Sequence, residues 1–249
     1  MTIVFISMRE LLECAQMEKV EDVKHQLSLL SNSDHAKISA RFFKTGPGEY
    51  GEGDIFRGVR VPVLRTLARS LRHLEIDDIE LLLQSPYHED RLLSLILMVN
   101  LFKTGAAAEQ RQLYRVYLAN TRYINNWDLV DASAEHIVGG YLRERDRTPL
   151  YRLAESPNLW KRRISIMSTF HFIKNRDYSD ALKICHLLIG DTEDLIHKAC
   201  GWMLREIGNR NLAAEEAFLD EHALMLPRTM LRYAIEKFTV ARRKHYMKK

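Results

Sequence analysis

"QSPYHEDRLLSLILM", residues 84–98, returns as "ESPNLWKRRISIMST", residues 155–169. In both, a Ser-Pro breaker leads into an apolar run too long for a typical strand, so both read as buried helices. Ser85-Pro86 and Ser156-Pro157 lie 71 residues apart, close to twice 35 or 36. Two further stretches fall on that period: "NTRYINNWDLVDASA" from residue 120 and "IGDTEDLIHKACGWM" from residue 189. A unit of this length, with a shorter and a longer helix, is the signature of an α-solenoid of helix pairs. Each pair cannot bury its apolar face alone, so neighbours stack. The expected fold is all-α, an α-solenoid of HEAT-like helix pairs with a concave basic groove. We expect one HEAT-like repeat domain over 1–249, with N-terminal helices in 1–35, a Gly-rich loop at 46–58 and a basic tail at 239–249.

The rest of the chain agrees with this reading. "RVPVLRTLARSLRHL" places Val61, Leu64, Leu67, Leu71 and Leu74 on one face, and no run of alternating strands is found. Five of the eleven glycines fall in "GPGEYGEGDIFRG", residues 46–58, which reads as an exposed mobile loop. Gly58 allows a tight turn into the helix that starts near Pro62. Hydrophobic content is 46% and charged content 28%, which is ordinary for a globular protein with a sizeable core. The net charge of +4 is mildly basic and by itself weak evidence for a nucleic-acid partner. From Arg228 onward cations outnumber acids strongly, and the plain reading is a solvated, partly frayed tail.

Several function classes lose support. The three cysteines, Cys14, Cys185 and Cys200, form no C-x-x-C pair, which fits a reducing compartment. The start "MTIVFISMRELLEC" has too short an apolar run for a signal peptide, and nothing approaches a membrane span, so a cytoplasmic location is expected. The histidines show no metal-ligand spacing, and no phosphate-binding loop or serine elbow is present.

What remains is one acid, two indoles and a set of cations. "NNWDLVDASAEH", residues 125–136, reads as a helix capped by Asn126 and running from Trp127 to His136. Asp131 falls at the border of its apolar stripe, one turn below Trp127, while Asp128 and Glu135 point outward. A carboxylate in that place needs a partner or a purpose. A structural ion pair with Arg163 is one answer. Stepping by 35 or 36 from Trp127 gives Arg91, Arg163 and Lys198; the next turn gives Asp131, Met167 and Trp202. These positions can share the concave surface. The run Lys161, Arg162, Arg163 sits at a helix start, where cations oppose the macrodipole, so an anionic ligand is a reasonable reason for it.

Taken together, "FRGVRVPVLRTLARS", "NNWDLVDASAEHIVG", "NLWKRRISIMSTFHFI", "HKACGWMLREIG" and "LPRTMLRYAIEKF" resemble the AlkD family of bacterial DNA alkylation repair glycosylases. The resemblance runs from about residue 40 to residue 238, with the 39-residue spacing from Arg163 to Trp202 that the family pattern requires. It implies a solenoid cradling duplex DNA and hydrolysis of the N-glycosidic bond of cationic alkylated purines such as 3-methyladenine and 7-methylguanine. It implies Asp131 as the catalytic carboxylate, Trp127 and Trp202 as the flanking indoles, and Arg163 as the arginine near the scissile bond. Lys161, Arg162, Arg163, Arg91, Lys198, Arg228 and Arg232 would line the groove or hold phosphates. No metal or organic cofactor is implied. The expected partner is double-stranded DNA containing alkylated bases, met by a cytoplasmic, nucleoid-associated monomer. Two departures stand out: Phe42 falls where close relatives have a Tyr, and the Gly-rich insertion with Tyr50 is absent from shorter members. Two other readings stay open. One is a noncatalytic DNA-structure binder with Asp131 merely paired. The other is a protein-interaction solenoid, which the row Arg91, Arg163, Lys198 argues against.

Overall fold

Ser94 Oγ donates to the Ile79 carbonyl, and Ser165 Oγ donates to the Leu150 carbonyl, both at 2.7 Å. Donors and acceptors are each 71 residues apart, so the sequence repeat is also a repeat of local geometry. In a computed structural model that describes residues 8–248, with side chains from residue 19, the chain is α-helical and no strand occurs among the described residues. Among the described residues the one β-like contact is an isolated bridge between Ile55 and Tyr87. The expectation of no signal peptide rests on residues that lie largely outside the described ones, as does the side chain of Cys14.

The helices in chain order are α1 (Met8–Leu29), α2 (Ser33–Phe42), α3 (Val61–Ser70), α4 (Ile76–Leu83), α5 (His88–Thr104), α6 (Ala107–Ala119) and α7 (Trp127–Asp131). After a π-helical turn (Glu135–Gly139) come α8 (Gly140–Leu142), α9 (Thr148–Ala154), α10 (Leu159–Ser168), α11 (Phe170–Lys174) and α12 (Ser179–Leu187). The last are α13 (Asp194–Gly208), α14 (Leu212–His222), α15 (Arg228–Ala234) and α16 (Val240–Lys248). The chain divides into two compact units, residues 1–129 and 130–249.

In the first unit, α5 is the buried helix that the apolar run predicts. It packs on α3, α4 and α6 and buries Leu92, Leu93, Leu95, Leu97, Met98 and Phe102. Pro62 lies in the first turn of α3, where its missing N–H costs nothing. The apolar face of α3 is shifted from the expected one: Leu64, Ala68 and Leu71 are buried, but Val61 is exposed. In the second unit α10 packs on α9 and α13, and α13 packs on α14 and α15. Asn158 starts α10: its side chain accepts from the backbone N–H of Trp160 and Lys161 at 2.9 and 3.1 Å.

Gly201 sets the α13–α15 approach. A Cβ there would collide with the Met230 carbonyl oxygen and with Tyr233 Cβ. Gly201→Ala is therefore expected to destabilise the protein by about 1–3 kcal/mol through overpacking, read as a lower urea midpoint at unchanged slope.

The tail is more ordered than a frayed end. Tyr246 of α16 is buried, its hydroxyl donates to Asp220 at 3.1 Å, and its ring meets Phe238 edge-on. Burial and the bond to Asp220 push the Tyr246 hydroxyl up to about 12.

Candidate functional site

The segment carrying Asp131 is not one continuous α-helix. Asn126 Oδ1 accepts from the Trp127 backbone N–H at 2.8 Å, and α7 then runs only to Asp131. A turn and the π-helical segment follow, with bonds from Ser133 to the Val130 carbonyl and from Ile137 to the Ser133 carbonyl. Such π turns shift the angular position of every later side chain. Glu135 accordingly does not point outward: it is buried and takes the Lys174 ammonium at 2.6 Å. Gly139 in the same turn lies against the Ser168 carbonyl, where a Cβ would not fit.

Asp131 is held by Arg163 in a fork. Nε of Arg163 donates to Oδ1 at 2.8 Å and Nη2 to Oδ2 at 2.7 Å, while Nη1 donates to the Leu195 carbonyl at 2.6 Å. The guanidinium is almost wholly buried, whereas the Asp131 side chain keeps 18% of its surface exposed. A bidentate pair fixes both the charge and the orientation of the carboxylate.

The other expected cations sort into two groups. Arg91 is a correction: it is buried in α5, bonded to Asp54, to Asn125 at 3.2 Å, and to the Ser85 and Pro86 carbonyls at 3.1 and 3.0 Å. Arg162 also has partners within the protein. Its guanidinium bonds Asp191 at 2.6 and 3.2 Å and the Ser156 and Pro157 carbonyls at 3.0 and 2.9 Å. Arg91 and Arg162 thus do the same local work at the two Ser-Pro breakers. The counterpart of Arg91 is Arg162, one residue off the expected row, and the counterpart of Arg163 is Leu92. At that helix start Arg162 pairs with Asp191 and Arg163 with Asp131. Met167, expected on the next row, is buried. Lys161 is half-buried, Arg228 and Arg232 are exposed, and none of the three makes a salt bridge among the described residues. Lys198 is 39% exposed and pairs with Asp194 at 2.8 Å, one turn away on α13. Trp202 is half-buried with its ring centroid 5.9 Å from that of Phe170.

Sequence reasoning missed the polar network at the foot of Trp127. His88, the first residue of α5, bonds Asp54 Oδ2 through Nδ1 at 2.7 Å and Asp128 Oδ2 through Nε2 at 2.8 Å. Asp128 therefore faces inward. Both ring nitrogens meet carboxylate oxygens, so both carry protons and the ring is an imidazolium. Burial disfavours that charge, but the bonds to Asp128 and Asp54 and their negative charges outweigh it and raise the pKa to about 9. Burial also opposes ionisation of Asp54, yet His88 and Arg91 hold its carboxyl below the usual range. The folded-state value of His88 lies above its ordinary 6.5. Its stabilisation is present in full below pH 6.5 and is lost as pH rises through about 9, roughly 3 kcal/mol in total. Urea unfolding at pH 6.5 and at pH 9.5 should show that loss, and His88→Gln should flatten it.

This network also docks the second half of the Gly-rich segment, read from the sequence as a mobile loop, onto α5. Beyond Asp54, Arg57 forks onto Asp90 at 2.6 and 2.9 Å and covers the Tyr87 ring at 3.8 Å. The Glu89 carboxylate accepts from the backbone N–H of Arg57, Gly58 and Val59 at 2.8, 2.7 and 3.2 Å. Gly58 has φ +79 and lies against the Asn32 carbonyl, so it serves both the turn and a close approach.

Trp127 itself is half-buried. Its ring stacks on Phe43 at 5.1 Å and meets Phe42 edge-on at 5.9 Å, with Phe42 63% exposed. Among the described residues no group of histidines, cysteines and acids could hold a metal, and no helix is long and apolar enough to cross a membrane.

A model of the family described as DNA alkylation repair enzyme matches residues 23–238. Among solved structures, the predicted DNA alkylation repair enzyme from Enterococcus faecalis is 18% identical with a TM-score of 0.66, covering 84% of this chain and 97% of its own. AlkD2 from Streptococcus mutans is 16% identical with a TM-score of 0.53, covering 90% of this chain and 99% of its own. At these identities the likeness bears on the fold. No curated protein matches the chain.

Proposed function

Since the chain belongs to the DNA alkylation repair enzyme family, we propose that it is a DNA glycosylase. Its reaction is hydrolysis of the N-glycosidic bond of cationic alkylated purines, 3-methyladenine and 7-methylguanine, in duplex DNA. The observation that carries the reading is the Asp131 carboxylate, fixed by the buried Arg163 fork yet open to solvent on one side.

The chemistry suits that carboxylate. An N-alkylated purine already carries a positive charge and leaves without protonation, so the general acid of a glycosidase is not needed. As the bond from the sugar C1′ to the base nitrogen breaks, its electron pair neutralises the base and positive charge grows on the sugar. Asp131 stabilises that charge and orients a water. The water oxygen bonds C1′, and its proton passes to Asp131 or to solvent. Trp127 and Trp202 each offer an electron-rich face to a cationic base or sugar, worth about 0.5–2 kcal/mol apiece. Lys161, Lys198, Arg228 and Arg232 hold phosphates, which gives salt-sensitive binding without sequence preference.

The Asp131–Arg163 pair also favours a second reading, a noncatalytic DNA-structure binder on the same scaffold. Incubating the protein with methylated duplex DNA and assaying free 7-methylguanine separates the two. Released base supports the glycosylase; tight duplex binding with no release leaves the binder.

A further inference from the structure

A buried charge chain inside the first unit has no part in the reaction above. Arg91 bonds Asp54, Asp54 bonds His88, and His88 bonds Asp128, the residue after Trp127. Burying Asp54, His88 and Arg91, with Asp128 half-buried beside them, is costly and is weak as a source of stability, so the arrangement asks for another reason. The neighbouring rings supply one. Phe56 stacks on His88 at 4.5 Å, Phe43 lies 5.0 Å from His88 and 5.2 Å from Phe56, and the Trp127 indole stacks on Phe43. His88 thus touches the foot of α7 in two ways: by a hydrogen bond to Asp128, and through the Phe43 ring to the indole.

We propose that His88 is a positioning residue: clamped between Asp54 and Asp128, stacked on Phe56 and set against the tilted Phe43 ring, it sets the angle at which Trp127 presents its indole. For base release the inference rests on the glycosylase reading; for indole geometry it stands alone. The groups facing the imidazole are Asp54 from the Gly-rich segment, Asp128 from α7, and the rings of Phe43 and Phe56. Arg91 on α5 neutralises Asp54, and Glu89 on α5 is occupied by the backbone of Arg57, Gly58 and Val59. With its proton present, the ring donates to both carboxylates. Without it, one ring nitrogen faces a carboxylate lone pair, and the start of α7 shifts.

Two readouts test this on the full chain. In the first, the Trp127 indole N–H is followed by proton–nitrogen NMR from pH 6.5 to pH 10, its signal identified with Trp127→Phe. The signal should titrate with a midpoint near 9, and Asp128→Asn, which removes one carboxylate but keeps a polar partner, should move that midpoint down by at least one pH unit. An indole signal that does not titrate, or a midpoint untouched by Asp128→Asn, overturns the proposal. In the second readout, single-turnover release of 7-methylguanine at pH 7.5 should fall about tenfold in His88→Gln, with duplex affinity within twofold of wild type. Unchanged release in folded His88→Gln also overturns it. If the wild type releases no base, the glycosylase reading fails, and the indole titration still decides the role of His88.

Discussion

Asp131→Asn is expected to lower the rate of 7-methylguanine release by about 10²–10³-fold, the loss typical of removing one fixed electrostatic partner of a transition state. The variant also breaks the fork with Arg163, and a buried guanidinium left without its partner costs about 3–5 kcal/mol of stability. A fall in rate could then report unfolding rather than chemistry. Three measurements separate the two. Helical circular dichroism shows whether the variant is folded at the assay temperature. Duplex affinity should hold within a few-fold, because Lys161, Lys198, Arg228 and Arg232 are untouched. The slope of log affinity against log salt should also hold, since it counts neutralised phosphates at about 0.9 per contact. A folded variant that binds with the wild-type salt slope and releases base at the wild-type rate would assign Asp131 to structure alone.

That experiment returns to the choice the sequence leaves open at Asp131. Its position at the edge of an apolar stripe, with Arg163 in reach, is legible from helical spacing, and the fork realises that pairing. The helix pairs are legible too, because buried helices such as α5 need a nearly unbroken apolar run. The exact row of cations is not. An average period of 35 or 36 places Arg91 opposite Arg163, whereas the hydrogen bonds to Ser85, Pro86, Ser156 and Pro157 match Arg91 with Arg162. An average period cannot fix which single residue faces which side. The π turn after Asp131 has a glycine, Gly139, only at its end, so nothing at its start announces it and wheel angles fail beyond that point. The His88 network is invisible for another reason. Its members lie 34 to 40 residues apart, and one of them sits in a segment whose glycines read as mobile. Only the packed fold shows that the segment is anchored by its acids and by Arg57.

The second large effect falls on that anchor. Asp54→Ala should destabilise the protein by about 3–5 kcal/mol, because it leaves Arg91 and His88 buried without a shared counter-charge. That is a large share of the roughly 5–15 kcal/mol that holds a typical domain folded. The cost comes from the orphaned cations more than from the lost bonds, so removing a cation as well should recover much of it. Asp54→Leu combined with Arg91→Met is expected to be more stable than either Asp54→Leu or Asp54→Ala, with a coupling energy of about 1–3 kcal/mol in a double-mutant cycle read by urea unfolding. The pH dependence should change with it. Without Asp54, one support for the His88 charge is gone, so the alkaline loss of stability still begins near pH 6.5 but is complete at lower pH and is smaller in total. Additive losses with an unchanged pH profile would mean that Asp54 only tethers the Gly-rich segment. Coupled losses with a smaller alkaline fall that ends at lower pH would mean that the segment, α5 and the first turn of α7 are joined through one shared charge, which is the condition for His88 to govern Trp127 at all.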